Sequence, residues 1–398
     1  MTISARSTRT GLATLAAGAL LAAVLSEWAG VAGPPSEAGT AVAASTSPTA
    51  PGTGEPATSS TPPSATAPRD ECAEPIAALS PRQRLAQLVV VGVDPSGPAA
   101  ALAAVTGEQV GGIFVGGEAT GLLSGDALTA VRSAARIPLT VSVDDEGGRV
   151  QRVEALDGEL PSARRMTATR TPAEVRALAA QRGRALAARG VTMNLAPIAD
   201  TSPQPDGSVI GDRSFSADPA VAREYVTAFA AGLQDAGVKP VLKHFPGHGN
   251  ATGDSHLALP STPPLDALRR ADLLPYRDIG DYGDVAVMLG HLDVPGLTGG
   301  EPATLSPAAY ALLREEYGFT GPAMTDDLGA MKAVTDRVDL PLAVQRALAA
   351  GADLALWSSG GRLGEVLDRL EQAVASGDLP QERVTEALRR VLTFKGVC

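Results

Sequence analysis

The stretch KHFPGHGNATGDSH, from Lys243 to His256, holds three of the chain's four histidines, with one aspartate and three glycines. Three kinds of chemistry use such a set. His244 and His248 stand four residues apart, the spacing of helical zinc sites. Pro246, Gly247 and Gly249 remove the helix that would bring the two rings together, so no metal is expected. A phosphate cradle needs a glycine-rich loop that opens a helix, and the Walker pattern is missing. What remains is a glycine-bearing loop that ends in a proton-transfer pair. Asp254, two residues before His256, can reach the imidazole, fix its tautomer and favour its charged form. The same pair in isolation would equally describe a solvated surface turn.

Two other stretches could act with it. In AMTDDLGAM, Asp326 and Asp327 follow a short apolar run; neighbours in extended chain point opposite ways, so one should face a cleft as a nucleophile while the other caps the next helix. Residue types alone leave open which is which. In VDDEGGRVQR, Gly147 and Gly148 permit a tight turn, Arg149 and Arg152 offer forked donors, and Asp144 can accept hydrogen bonds from vicinal hydroxyls. Arg213, in GDRSF, adds another donor. This mixture suits a neutral, hydroxyl-rich ligand, though an ion-pair network would use the same residues.

Something must bring these stretches to one place. Apolar runs begin at Gln87, Gly111, Pro138, Val191, Lys239, Val285, Gly321 and Ala352, with Ala- and Leu-rich helical segments between them that close on glycines. Strand and helix in alternation make an α/β fold, and eight such units predict a single (β/α)8 TIM-type barrel, with an open doubly wound sheet as the alternative. Polar residues collect where the runs end: Asp144, Asp200, Lys243, His244, His291 and Asp326. Barrel active sites sit at that end. Helix capping is the competing account for Asp200 and Asp327, but it does not extend to Lys243 and His244, which cap poorly.

Composition narrows the class. A formal charge of -11 argues against a nucleic-acid partner, and 3% aromatic residues imply an aliphatic core. Arg6 and Arg9, an apolar run from Gly11 to Leu25, and small residues near Ala32 and Ala43 read as an export leader. The run is shorter than the roughly 20 residues that span a bilayer, so no stable membrane insertion is expected once the leader is cleaved. Residues rich in Pro, Ser and Thr follow, which predicts a disordered tether. The domain reading is a leader over 1–43, a tether over 44–70 and one domain over 71–398. In an exported chain Cys72 and Cys398 read as a disulfide, which requires the two ends of the domain to meet.

The motifs VDDEGGRVQR, NLAPIAD, GDRSF, KHFPGHGNATGDSH and MTDDLGAM, in this order, resemble glycoside hydrolase family 3, in its β-N-acetylhexosaminidase branch. The resemblance runs from about Cys72 to the C-terminus. The chain ends soon after the eighth strand, where related β-glucosidases continue into domains that supply their acid, and this too fits the branch. The resemblance implies a retaining exo-β-N-acetylglucosaminidase that needs no cofactor. Asp326 would be its nucleophile, and His256 with Asp254 its acid and base. Asp144, Arg152, Arg213, Lys243 and His244 would bind the terminal N-acetylglucosamine, with His291 lining the site and His248 shaping the loop. Substrates would be peptidoglycan fragments or chitooligosaccharides, met by a secreted or surface-associated monomer. The rivals are a β-glucosidase, a phosphorylase of the same family, and a non-catalytic wall-binding barrel.

Overall fold

The fold is that of a computed structural model, which describes residues 70–117 and 121–398. The leader, and the tether up to residue 69, lie outside the described residues. The eight apolar runs each supply a strand: β1 (Val89–Val93), β2 (Gly112–Val115), β3 (Thr140–Val143), β4 (Met193–Asn194), β5 (Lys239–Phe245), β6 (Ala286–Leu289), β7 (Ala323–Thr325) and β8 (Ala355–Trp357). Their uninterrupted apolar character has a simple origin, since parallel strands with helices outside and a packed core inside are buried on both faces. Almost every strand residue is buried.

Neighbours pair in parallel around the sheet in the order β7-β6-β5-β4-β3-β2-β1-β8. The last gap closes through the parallel bridge Met324↔Leu354, where Thr325 N donates to the Leu354 carbonyl at 3.0 Å. The sheet is therefore a barrel, and the open doubly wound alternative does not apply. β4 is short because Pro197 has no N–H to give to the ladder. Pairing resumes beyond it at the single bridge Ile198↔Lys243, which carries Asp200 towards β5.

Local signals set the surrounding helices. Helix Pro172–Ala188 opens on a capping box in which Thr171 and Glu174 exchange backbone and side-chain hydrogen bonds, and Gly190 leaves it at φ +85°. It lies against helix Pro219–Asp235 at Gly232, where a Cβ would stand 2.3 Å from the Arg176 carbonyl oxygen, so any larger residue would force the two helices apart.

The end of the barrel away from the site is held by charge. Asp353, fully buried, accepts from Arg314 Nη2 at 2.5 Å, Arg390 Nη1 at 3.3 Å, the Ala323 backbone at 2.9 Å, and Arg383. Asp353→Ala leaves three guanidinium groups together with only the half-exposed Glu386, paired to Arg383 and Arg390, as counter-charge among the described residues, so it should destabilise the protein by about 3–5 kcal/mol. A loss below about 1 kcal/mol in denaturant unfolding would mean that the arginines find water instead. Nearby, the Cys72–Cys398 disulfide joins the ends of the domain, with Cα atoms 5.1 Å apart and a sequence separation of 326. Closing so long a loop removes much unfolded-state entropy, up to about 6 kcal/mol in the chain-entropy account.

Candidate active site

The C-terminal ends of the strands surround a cavity of about 300 Å³. Its charged wall begins at Lys243 on β5, whose Nζ lies 2.6 Å from Asp144 Oδ1 and 2.6 Å from Glu146 Oε1. Arg213 then grips Glu146 with two parallel hydrogen bonds of 2.8 and 2.7 Å. Burial alone would raise the Glu146 pKa, but Arg213 and Lys243 outweigh it and hold the carboxyl far below its ordinary range. Burial likewise works against the charge on Lys243, and Asp144 and Glu146 overcome it, so the ammonium stays protonated. Glu146 is thus the keystone of the wall. Sequence reasoning passed over it, although a third acid directly after the Asp144-Asp145 pair was the available signal.

Arg152 completes this side. Its backbone N–H donates to Asp145 Oδ1 at 3.1 Å, while its guanidinium lines the cavity and its buried Nε has no hydrogen-bond partner among the described residues. A free forked donor beside a half-free carboxylate, Asp144, is an arrangement for binding hydroxyl groups.

The floor resolves the adjacent aspartates. Asp327 Oδ1 accepts from the Gly329 and Ser358 backbone N–H groups at 2.8 and 3.0 Å, and its Oδ2 accepts from the Ser358 hydroxyl. It ties the loop after β7 to the loop after β8 rather than capping a helix. Asp326 keeps a free face. Among the described residues its Oδ1 accepts only the Asp327 N–H, at 2.8 Å, and its Oδ2 lies 4.0 Å from His244 Nε2. Burial pushes the Asp326 carboxyl up, but His244, His291, the Asp327 N–H and Lys243 together hold it below the usual range. It is an ionised, under-used carboxylate at the bottom of the cavity.

Asp200 is likewise no helix cap. Fully buried, it accepts His244 Nδ1 at 2.7 Å and the backbone N–H groups of His244 and His248 at 3.2 and 2.7 Å. This sets the His244 tautomer with Nδ1–H towards Asp200 and leaves Nε2 for the cavity. Burial opposes the Asp200 charge, yet His244 and His248 more than compensate, so its pKa is lowered. A carboxyl depressed in the folded state adds stability above its unfolded pKa of about 3.9, and that stability is lost as pH falls through the lower folded value. Wild type should therefore lose more unfolding free energy than Asp200→Asn between about pH 5 and pH 2. Parallel curves for the two proteins would remove this ionic role.

The roof is the loop 246–262. Gly247 starts it at φ +129°, with Asp272 Cβ 2.4 Å from where its own Cβ would be. Asp254 Oδ1 accepts both the backbone N–H and Nδ1 of His256, at 2.9 and 2.8 Å, which leaves His256 Nε2 open. The His256 side chain is 60% exposed, at the rim of the cavity. Ala333 N donates to the Ser255 carbonyl at 3.1 Å, which pins the loop to the segment that follows Asp326.

His291 departs from expectation. It is fully buried, with Nδ1 2.7 Å from Thr304 Oγ1 and Nε2 donating to the Asp327 carbonyl at 2.9 Å. Both nitrogens are consumed behind the aspartate pair, so His291 supports the floor and does not line the cavity. The other expected residues, Asp144, Arg152, Arg213, Lys243, His244, His256 and Asp326, all line it, with Asp254 hydrogen-bonded behind His256.

The model of the glycosyl hydrolase family 3 N-terminal domain matches residues 81–394. The chain is 50% identical over 335 residues to the beta-hexosaminidase LpqI of Mycobacterium tuberculosis, covering 82% of this chain and 86% of that one. The M. tuberculosis LpqI structure superposes with a TM-score of 0.79 at 49% identity, over 83% of this chain and 97% of that one. A family 3 β-N-acetylglucosaminidase from Paenibacillus sp. FPU-7 gives 0.74 at 33% identity, over 80% and 63% respectively.

Proposed function

The chain belongs to glycoside hydrolase family 3 and is a hydrolase of β-hexosaminidase type, and we propose that it is an exported, retaining exo-β-N-acetylglucosaminidase acting on peptidoglycan fragments or chitooligosaccharides. The observation that carries this reading is the vertical order of the cavity. An ionised Asp326 lies at its floor, hydroxyl-binding groups form one wall, and an imidazole with a free nitrogen stands at the rim. A cavity of about 300 Å³ is at the small end of ligand pockets, which favours one terminal sugar over a threaded chain.

The chemistry follows from that order. Asp326 attacks the anomeric carbon from below as the glycosidic C–O bond breaks, and His256 Nε2–H gives its proton to the departing oxygen. A water then gives a proton back to His256, forms the new C–O bond and releases Asp326. Asp254 holds the imidazole in register through Nδ1 and offsets its charge while it is protonated. In the usual retaining pair the second group is a carboxyl; here the His-Asp pair stands in that place. Asp144, Arg152, Lys243, Arg213 and His244 would hold the sugar. The leader pattern of residues 1–43 and the Cys72–Cys398 bridge support export, since disulfides persist in oxidising compartments.

The substrate is tested by comparing nitrophenyl N-acetylglucosaminide with nitrophenyl glucoside, with and without phosphate. The acetamido sugar should be turned over at least about 100-fold better in kcat/KM, with water as acceptor. Faster turnover of the plain glucoside would make the protein a β-glucosidase, and a sugar 1-phosphate as the main product would make it a phosphorylase.

A further inference from the structure

His248 has no part in that scheme, and its surroundings are unusual for a residue that only shapes a turn. Its backbone is anchored on Asp200, but its ring, in a residue only 4% exposed, lines the cavity with neither Nδ1 nor Nε2 hydrogen-bonded among the described residues. Burying an imidazole with both nitrogens unpaired is costly, and the cost is removed when a polar group occupies the cavity. One ring edge meets His244, with centroids 5.7 Å apart. His248 is also within electrostatic reach of Asp326 at the floor and of Asp254 at the roof. It shares the cavity with the attacking carboxylate and with the histidine that moves the proton.

Retaining double displacement puts one atom in that interval twice. The oxygen that leaves in the first step and the water oxygen that arrives in the second occupy the same place on the upper face of the sugar, by microscopic reversibility. We propose that His248 is a further catalytic residue, whose imidazole hydrogen-bonds this shared oxygen and aims the incoming water at the anomeric carbon. The proposal rests on the roles given above to Asp326 and His256. Burial and the neighbouring His244 hold the His248 pKa below its ordinary value, so the ring is neutral, with one donor and one acceptor nitrogen. The acceptor takes one O–H of the water while the other proton goes to His256. His248 itself neither gains nor loses a proton, and the hydrogen it holds stays on the sugar product.

The test uses His248→Phe, which keeps a ring in place without hydrogen bonds, and His248→Gln, which keeps a donor and an acceptor. With dinitrophenyl N-acetylglucosaminide the first step needs little acid assistance, so water attack limits kcat. His248→Phe should lower kcat about tenfold to a hundredfold, lower KM in proportion, and change kcat/KM by less than about threefold. A burst of dinitrophenolate should precede the slow steady state, and His248→Gln should recover part of the loss. An unchanged kcat, or a raised KM with kcat intact, would overturn the proposal in favour of packing or sugar binding. Mass analysis of acid-quenched enzyme separates the two levels of the claim. An adduct on Asp326 that decays at the same rate in wild type and His248→Phe once substrate is removed refutes only the role of His248. No adduct in either protein sinks the double displacement, and this proposal with it.

Discussion

Asp326→Ala is expected to lower kcat by about 10⁴-fold or more on every glycoside tested, whatever the leaving group. The reason lies in what the side chain does not do. Among the described residues the Asp326 side chain accepts one hydrogen bond, from the N–H of its neighbour, so its removal leaves the loops standing while nothing remains to attack or to balance positive charge at the anomeric carbon. Asp327→Ala is the instructive contrast. It breaks three hydrogen bonds to Gly329 and Ser358, which should cost stability of about 1–3 kcal/mol and weaken activity indirectly. Steady-state kinetics beside denaturant unfolding distinguish the two: chemistry lost with the fold intact in the first, the fold weakened in the second. If Asp327→Ala were the inactive but fully stable variant, the assignment of the pair would be reversed.

His256→Ala should show a different signature, one that depends on the substrate. Natural glycosides leave as alkoxides unless protonated, so kcat/KM for them should fall about 10²- to 10⁴-fold, the usual worth of a general acid. Dinitrophenolate needs no proton, and with that leaving group the loss in kcat/KM should be less than about tenfold. A plot of log kcat/KM against leaving-group pKa should therefore be steep for His256→Ala and shallow for wild type. Because kcat/KM covers only the steps through the first irreversible one, a slowed water attack does not enter the comparison. Equal losses across leaving groups would count against an acid role and favour a purely structural part for the exposed loop. Asp254→Asn should follow the same trend more weakly, since the imidazole keeps its place but loses the carboxylate that supports its charged form.

Much of this molecule was readable before any coordinates. Eight apolar runs predicted eight strands because each strand of a closed parallel barrel is buried on both faces, so burial writes itself into consecutive residues. The collection of Asp144, Lys243, His244 and Asp326 at run ends pointed to one rim for the same reason: a parallel sheet sends all its C-terminal ends to one side. The Asp254-His256 pair was readable because two residues of loop suffice to join them, and the structure shows that contact.

What sequence left undecided shares one property, which is partnership across long separations. Asp326 and Asp327 are chemically identical neighbours, and only Ser358, 31 residues on, commits Asp327 to holding loops. Glu146 matters because Arg213 grips it across 67 residues, and Asp200 because His244 meets it across 44. His291 looked like a site residue by its place in the chain, yet Thr304 and the Asp327 carbonyl take both its nitrogens. Residue types and their spacing determined which groups reach the rim of the barrel. Closure of the barrel decided which of them remain free to react, because a side chain's chemistry is set by the partners that packing assigns to it.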